Sequence, residues 1–237
     1  MKIAGVIEKS LTHFPGLVSY VILTQGCNFE CRYCFSHELT TLFEPDISDL
    51  EIEKKLFSDL ESGHDRLDAV VITGGEPTIQ PNLVEFMMRL RKLDYQVKLE
   101  TNGSNPKTIS KLIDLGLVDY IALDIKAPLE IDKYKDIAGN KVTVSIMGNI
   151  NKTLRILTHS KVDYEVRTTV IREKHSFHDL MDICNTLVGC KRFCLQKFNA
   201  EVVFDEKFTS FGNYTEEELA RIIKGINPEI EEVIFRN

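Results

Sequence analysis

The sequence predicts an α/β protein: a partial (β/α)6 barrel with parallel strands, open on one side. Three observations carry this. Apolar, strand-like runs alternate with helix-like segments along nearly the whole chain, which implies parallel pairing through right-handed crossovers. About six such units are present, whereas a closed eight-unit barrel typically takes about 250 residues and this chain has 237. Short polar motifs recur at the C-terminal ends of the strands, where parallel architectures place their chemistry.

The elements follow in order. Leu17–Leu23 (LVSYVIL) is a β-rich run. Ile47–Leu60 reads as a helix, with Ser48 and Glu51 spaced as a capping box. Asp68–Thr73 is a short strand of the buried type. Pro81–Leu93 is helical, with Leu83, Phe86, Met87 and Leu90 on one face. Gln96–Thr101 is a strand, and Pro106–Leu115 a helix that Gly116 ends. Tyr120–Asp124 is a strand, Asn149–His159 a helix, Tyr164–Ile171 a strand, Ser176–Leu187 a helix and Arg192–Phe198 the sixth strand. Thr215–Gly225 is a last helix, with Thr215 and Glu218 as a second capping box, and Glu232–Phe235 reads as a final strand. No linker divides the chain, so residues 1–237 are expected to form one domain. Its core spans about 17–200, with the last helix and strand in 201–237.

Hydrophobic residues make up 43% of the chain and charged residues 27%, a globular balance that excludes a mostly disordered protein. The formal charge of −7 gives no bulk attraction for nucleic acid, and none is expected as a partner. Met1–Ser10 lacks the apolar core of a signal peptide, and Leu17–Leu23 is far short of the ~20 residues that a membrane helix needs. A cytoplasmic protein without a membrane partner is expected. Six cysteines are too sparse for a disulfide scaffold.

Three of those cysteines carry the most specific signal. Cys27, Cys31 and Cys34 form C-x3-C-x2-C directly after the first predicted strand. Iron–sulfur clusters take cysteine thiolates, and three thiolates on a four-iron cluster leave one iron open to a ligand. Zinc competes, because His37 would complete a Cys3His site. Gly74-Gly75-Glu76-Pro77 follows the second strand. Its glycines permit close backbone approach, Glu76 can accept from an ammonium group, and an ordinary tight turn is the plainer alternative. Glu100-Thr101-Asn102-Gly103 and Asp124-Ile125-Lys126 follow the next two strands; alone they read as a turn and an internal ion pair. Arg167, within a strand, needs a partner if it points inward, either a carboxylate or a ligand. Cys184, Cys190 and Cys194 are spaced too loosely for a compact site, although a second metal remains open.

The segment Gly26-Cys27-Asn28-Phe29-Glu30-Cys31-Arg32-Tyr33-Cys34 resembles the cluster loop of the radical S-adenosylmethionine (SAM) enzymes. Tyr33 matches that family's aromatic residue before the third cysteine. Gly74-Gly75-Glu76-Pro77 matches its next motif, and the partial, TIM-like barrel matches its fold. The resemblance implies a [4Fe–4S] cluster on Cys27, Cys31 and Cys34 whose open iron holds the methionine part of SAM. Reductive cleavage would yield a 5′-deoxyadenosyl radical that abstracts hydrogen from a substrate. The resemblance also implies SAM contacts from Tyr33, Gly74, Gly75, Glu76, Pro77, Thr101, Asn102, Asp124, Lys126 and Arg167. In the pyruvate formate-lyase activating enzyme group, segments like those at Glu100–Thr101 and Asp124–Lys126 also contribute to a monovalent cation site. Here Glu100 stands in place of an aspartate, so such a site would be formed by Glu100, Thr101 and Asp124.

Ile3–Ser10, followed by Thr12-His13-Phe14-Pro15-Gly16, resembles the opening segment of activating proteins for anaerobic ribonucleotide reductase. Cys194-Leu195-Gln196-Lys197-Phe198 resembles their last barrel strand. That implies a glycyl radical enzyme as partner, with a flavodoxin- or ferredoxin-type electron donor. Residues 35–73 hold no further cysteine, so no extra-cluster insertion lies between Cys34 and Gly74. Two departures stand out. Phe35-Ser36-His37 replaces the usual His-Asn after the third cysteine, and Asn199 stands where the formate-lyase activase has a SAM-contacting histidine. The alternatives are a radical SAM enzyme acting on a small molecule or nucleobase precursor, and a zinc-stabilised binding protein. The aromatics Phe204, Phe208, Phe211 and Tyr214 fit a core edge or a cap on the barrel mouth.

Overall fold

A computed structural model describes residues 1–41, 47–63, 66–225 and 229–236. Eight strands form one sheet in chain order, β1 to β8. The six predicted strands are its centre: β2 (Ser19–Thr24), β3 (Ala69–Gly74), β4 (Gln96–Thr101), β5 (Tyr120–Asp124), β6 (Asp163–Val170) and β7 (Arg192–Lys197). They pair in parallel, and β8 (Glu232–Arg236) joins β7 the same way. Among the described residues β1 and β8 do not pair with each other, so the barrel stays open. No helix among the described residues is long and apolar enough to cross a membrane.

The all-parallel expectation needs one correction. Ile3–Ser10 forms β1, which pairs antiparallel with β2. Most of its residues are exposed, so it lacks the buried apolar run that marks a central strand.

The helices α1 (Ile47–Ser62), α2 (Leu83–Arg91) and α3 (Pro106–Asp114) cover the first crossovers. The four predicted apolar residues of α2 are all buried. The capping box expected at Ser48 involves a side chain outside the described residues. α4 (Ile131–Ala138) was not expected; it is short and charged, and ends at Gly139, whose φ is +90°. α5 begins at Val144, five residues before the expected start, because Thr143 caps it by accepting from the Ile146 amide at 3.3 Å. α6 (Phe177–Thr186) carries an unforeseen capping box of Ser176 and Asp179. The box at Thr215 and Glu218 starts α7 (Glu216–Lys224) as expected: each side chain accepts from the other residue's amide, at 2.9 and 3.2 Å.

Alternate residues of each strand face opposite ways. One face packs under the helices, where Ile72, Val97, Leu99 and Val166 join the main core. The other face lines the barrel. Its β2–β3 side is apolar, with Val21, Ala69 and Val71 closing on Phe14 from the β1–β2 connection. Phe14 reaches Tyr120 with ring centroids 5.5 Å apart. Its β4–β8 side is ionic and leads to the site.

Candidate active site

β2 ends at Thr24 and the cysteine loop begins. Main-chain bonds hold that loop from both flanks. The Gly26 amide donates to Leu39 at 2.7 Å and the Cys27 amide to Thr40 at 3.2 Å. The Glu30 and Arg32 amides donate to the Ala138 and Ile137 carbonyls at 3.0 and 2.9 Å, which satisfies the C-terminal end of α4. Gly139 is required there, because its φ is +90° and a β-carbon would lie 2.7 Å from the Glu30 carbonyl oxygen. Arg32 adds an ion pair to Asp205 at 3.0 Å. All three loop cysteines are free thiols and half-buried. Burial pushes Cys27 up to about 12 and Cys31 up to about 11, so ligation must displace a held proton.

Among the described residues no three His, Cys, Asp or Glu side chains group as ligands of one metal ion, the loop thiols and His37 included. Thiolates sharing one zinc must approach within about 4 Å of each other. A four-iron core takes one thiolate at each of three metal corners, and this clamped loop carries three free thiols. His37 instead packs on Phe204, with centroids 5.9 Å apart, and its Nδ1 is buried without a hydrogen-bond partner. It lines a cavity of about 390 Å3 with Cys31, Thr40 and Lys141.

The glycine loop lies against the cysteine loop backbone to backbone. The Gly75 amide donates to Thr24 at 2.8 Å and the Glu76 amide to Gly26 at 2.8 Å. At Gly74, φ is +104° and a β-carbon would lie 2.5 Å from the Thr24 nitrogen. Pro77 begins a single helical turn whose cap is Glu76. Glu76, 1% exposed, accepts from the Thr78 amide (3.1 Å), the Thr78 hydroxyl, the Thr101 hydroxyl (2.6 Å) and the Asn102 amide (2.7 Å). Burial raises its carboxyl above the usual range, and these four donors pull the other way. Asn102 in turn donates to Asn28 at 2.9 Å, and Asn28 donates to Ser104 at 2.8 Å. The three strand-end motifs are therefore one bonded unit.

The fourth motif meets them through charge. Arg167 grips Glu100 with both terminal nitrogens, at 2.9 and 3.2 Å, and reaches Asp124 through Nε at 2.8 Å. Lys126 pairs with Asp124 at 2.9 Å, and its ammonium lies 5.8 Å from the centre of the Tyr33 ring. Burial alone would raise the Glu100 and Asp124 carboxyls, but Arg167, together with Lys98 beside Glu100 and Lys126 beside Asp124, outweighs it and holds both low. Burial would lower Lys126, but Asp124, together with Tyr33 and Cys31, keeps it well above the ordinary lysine value. Of the two kinds of partner expected for Arg167, the carboxylate is the one present, twice over, as Glu100 and Asp124. The three groups expected around a cation, Glu100, Thr101 and Asp124, all bond to protein: Thr101 to Glu76, and the two carboxylates to Arg167.

Several participants carry no local sequence signal. Lys98, 1% exposed, lies 3.1 Å from Glu100 and 3.7 Å from Glu165. Arg236 holds Glu165 at 2.9 and 2.8 Å. His175 is fully buried; its Nδ1 accepts from the Ile171 amide at 3.0 Å, so Nε2 donates to the Lys126 carbonyl at 2.9 Å. Burial lowers its pKa below the usual 6.5.

Other candidates stand apart. Cys184, Cys190 and Cys194 are buried free thiols and do not form a ligand group. Asn199 accepts from the Glu201 amide at 2.9 Å in a local turn. Phe208 and Phe211 form a satellite core that Tyr33 joins, while Phe204 stays 51% exposed.

Residues 21–187 match the sequence pattern of the Radical SAM superfamily. A Methanocaldococcus jannaschii protein, provisionally named a glycyl-radical enzyme activating enzyme, is 31% identical over 236 residues, 99% of this chain and 95% of that one. A 7-carboxy-7-deazaguanine synthase of Halobacterium salinarum is 34% identical over 89 residues, 38% of this chain and 33% of that one. A radical SAM methyltransferase from Sphaerobacter thermophilus superposes with a TM-score of 0.71 at 16% identity, over 94% of this chain and 67% of that one, a likeness of fold.

Proposed function

The chain belongs to the radical SAM superfamily, and from that premise we propose that it is a glycyl-radical enzyme activase, taking a hydrogen atom from a backbone glycine of a partner enzyme. The observation that carries this reading is the 31% identity to the M. jannaschii protein over nearly the full length of both chains. The unclosed sheet supports it, because a protein loop must reach the radical centre through an open side.

When bound, a [4Fe–4S] cluster and SAM supply one-electron cleavage of a carbon–sulfur bond and a carbon radical able to abstract hydrogen. Cys27, Cys31 and Cys34 would hold the cluster and leave one iron free of protein ligands. Gly74–Pro77 would face the methionine ammonium with its backbone carbonyls, since the Glu76 carboxylate is taken up by four protein donors. Arg167 and Lys126 would receive the methionine carboxylate or the ribose, each already aimed by Asp124. Tyr33, held against Phe208 and Phe211, would supply an aromatic edge to the adenosine. The electron would come from a flavodoxin or ferredoxin.

The test mixes reconstituted protein, reductant, SAM and a candidate glycyl radical enzyme under anaerobic conditions, with electron paramagnetic resonance and 5′-deoxyadenosine as readouts. A glycyl radical doublet that is lost in Cys31→Ala supports the activase. Turnover to 5′-deoxyadenosine on a small molecule, with no protein partner, would favour the second reading. That reading draws on the likeness to the deazaguanine synthase.

A further inference from the structure

The monovalent cation that family resemblance implies does not fit the residues present. Each carboxylate that would ligate it already faces protein cations. Glu100 Oε1 lies 2.9 Å from Arg167 and 3.1 Å from Lys98. Glu100 Oε2 takes the other Arg167 nitrogen at 3.2 Å and the Thr73 hydroxyl at 3.0 Å. Asp124 is shared between Arg167 at 2.8 Å and Lys126 at 2.9 Å. The Thr101 hydroxyl donates to Glu76 at 2.6 Å and accepts from the Gly103 amide at 3.1 Å. Along the barrel wall, four cations (Lys98, Lys126, Arg167, Arg236) face three carboxylates (Glu100, Asp124, Glu165), and a further positive charge would find none unpaired.

Lys98 occupies the centre of that row. Its ammonium donates to the His13 carbonyl at 2.5 Å and faces two carboxylates, Glu100 at 3.1 Å and Glu165 at 3.7 Å. An ammonium bound by oxygens on several sides resembles a bound alkali ion in charge and in its demand for oxygen ligands. The side chain comes from the interior face of β4, two residues before Glu100. Glutamate at position 100, one methylene longer than aspartate, spans from Lys98 to Arg167.

We infer that the Lys98 ammonium is a built-in cation that fixes Glu100 and, through it, Arg167, and that this protein neither needs nor binds a free monovalent cation there. Lys98 is a positioning residue: it touches the carboxylate that aims Arg167. The inference rests on the SAM reading of this barrel only where SAM affinity is measured.

The test compares potassium, ammonium and tetramethylammonium chlorides at equal ionic strength on the reconstituted protein, with thermal melting and SAM binding as readouts. Tetramethylammonium is too large to replace potassium. The expected wild-type result is the same melting temperature and the same SAM affinity in all three salts. A tenfold gain in affinity, or a melting temperature raised by about 5 °C in potassium, would overturn the inference. Lys98→Met should melt lower and become salt-dependent, with potassium or ammonium restoring part of the loss. Equal loss in every salt would overturn the claim that Lys98 stands in a cation's place. Should Lys98→Met fail to fold, Lys98→Arg keeps the charge and should stay salt-independent, and salt dependence in it would count against the inference. Absence of SAM binding in every salt would defeat the SAM reading, while the melting comparison would still decide the cation question.

Discussion

Gly75 and Gly26 meet so closely that a β-carbon on Gly75 would lie 2.1 Å from the Gly26 carbonyl oxygen. The contact joins two loops that follow neighbouring strands, β2 and β3, and it leaves no room for a side chain. Amides on either side of it donate across the same seam, Gly75 to Thr24 and Glu76 to Gly26.

We expect Gly75→Ala to force the glycine loop away from the cysteine loop. Overpacking of this kind costs roughly 1–3 kcal/mol, and the conflict here is with backbone, which cannot rotate aside. The variant should melt lower and retain less iron after reconstitution. Wild-type iron content together with wild-type melting would refute the account of the seam.

Replacing Glu76 by Gln should be costly although the shape is kept. The new amide NH2 would confront a hydroxyl or amide that donates to the carboxylate in the wild type. An unsatisfied buried donor costs about 1–3 kcal/mol. Chemical denaturation of the two proteins would measure this, and a difference under about 0.5 kcal/mol would contradict it.

Arg167→Lys should weaken SAM binding by about tenfold or more while leaving cluster content unchanged. Lysine keeps the charge but cannot hold Glu100 with two nitrogens and Asp124 with a third. Equilibrium binding of SAM to the reconstituted variant is the measurement. Unchanged affinity would remove Arg167 from the site.

Stability should fall as pH drops from about 6.5 towards 5. The His175 imidazole has a folded pKa below its usual value, so the unfolded chain takes up its proton first and is favoured as the pH falls. The carboxylates held low by Arg167 act in a separate window: their contribution is present above about pH 4 and is lost below it. Melting curves of the wild type and His175→Gln across pH 5–7.5 stay above the carboxylate window and read the histidine alone. The slope below 6.5 should flatten in the variant, and an unaltered slope would assign it elsewhere.

What could be read from the sequence follows from which interactions are local. Strands β2 to β7 were legible because burial on both faces leaves apolar runs such as Val70–Ile72. β1 lies at the sheet edge with residues 6–9 exposed on both faces, and its residues alone do not separate it from a loop. The cysteine, glycine and asparagine motifs were legible because each is compact in sequence and sits at a strand end. Lys98, Glu165 and Arg236 were not, because a single charge in a short strand reads as a solvent-facing residue, and its partners come from distant strands. His175 is the same case, since its two bonds go to backbone groups that no sequence pattern marks.

The bonds from the Glu30 and Arg32 amides to the end of α4 have a consequence for hydrogen exchange. Neither amide can meet solvent unless the cysteine loop and the last turn of α4 part from each other. Loop and helix end, far apart in the chain, therefore belong to one unit of local opening. Slowed exchange at these two positions would register cluster assembly from the protein's side, through deuterium uptake alone and without any signal from iron.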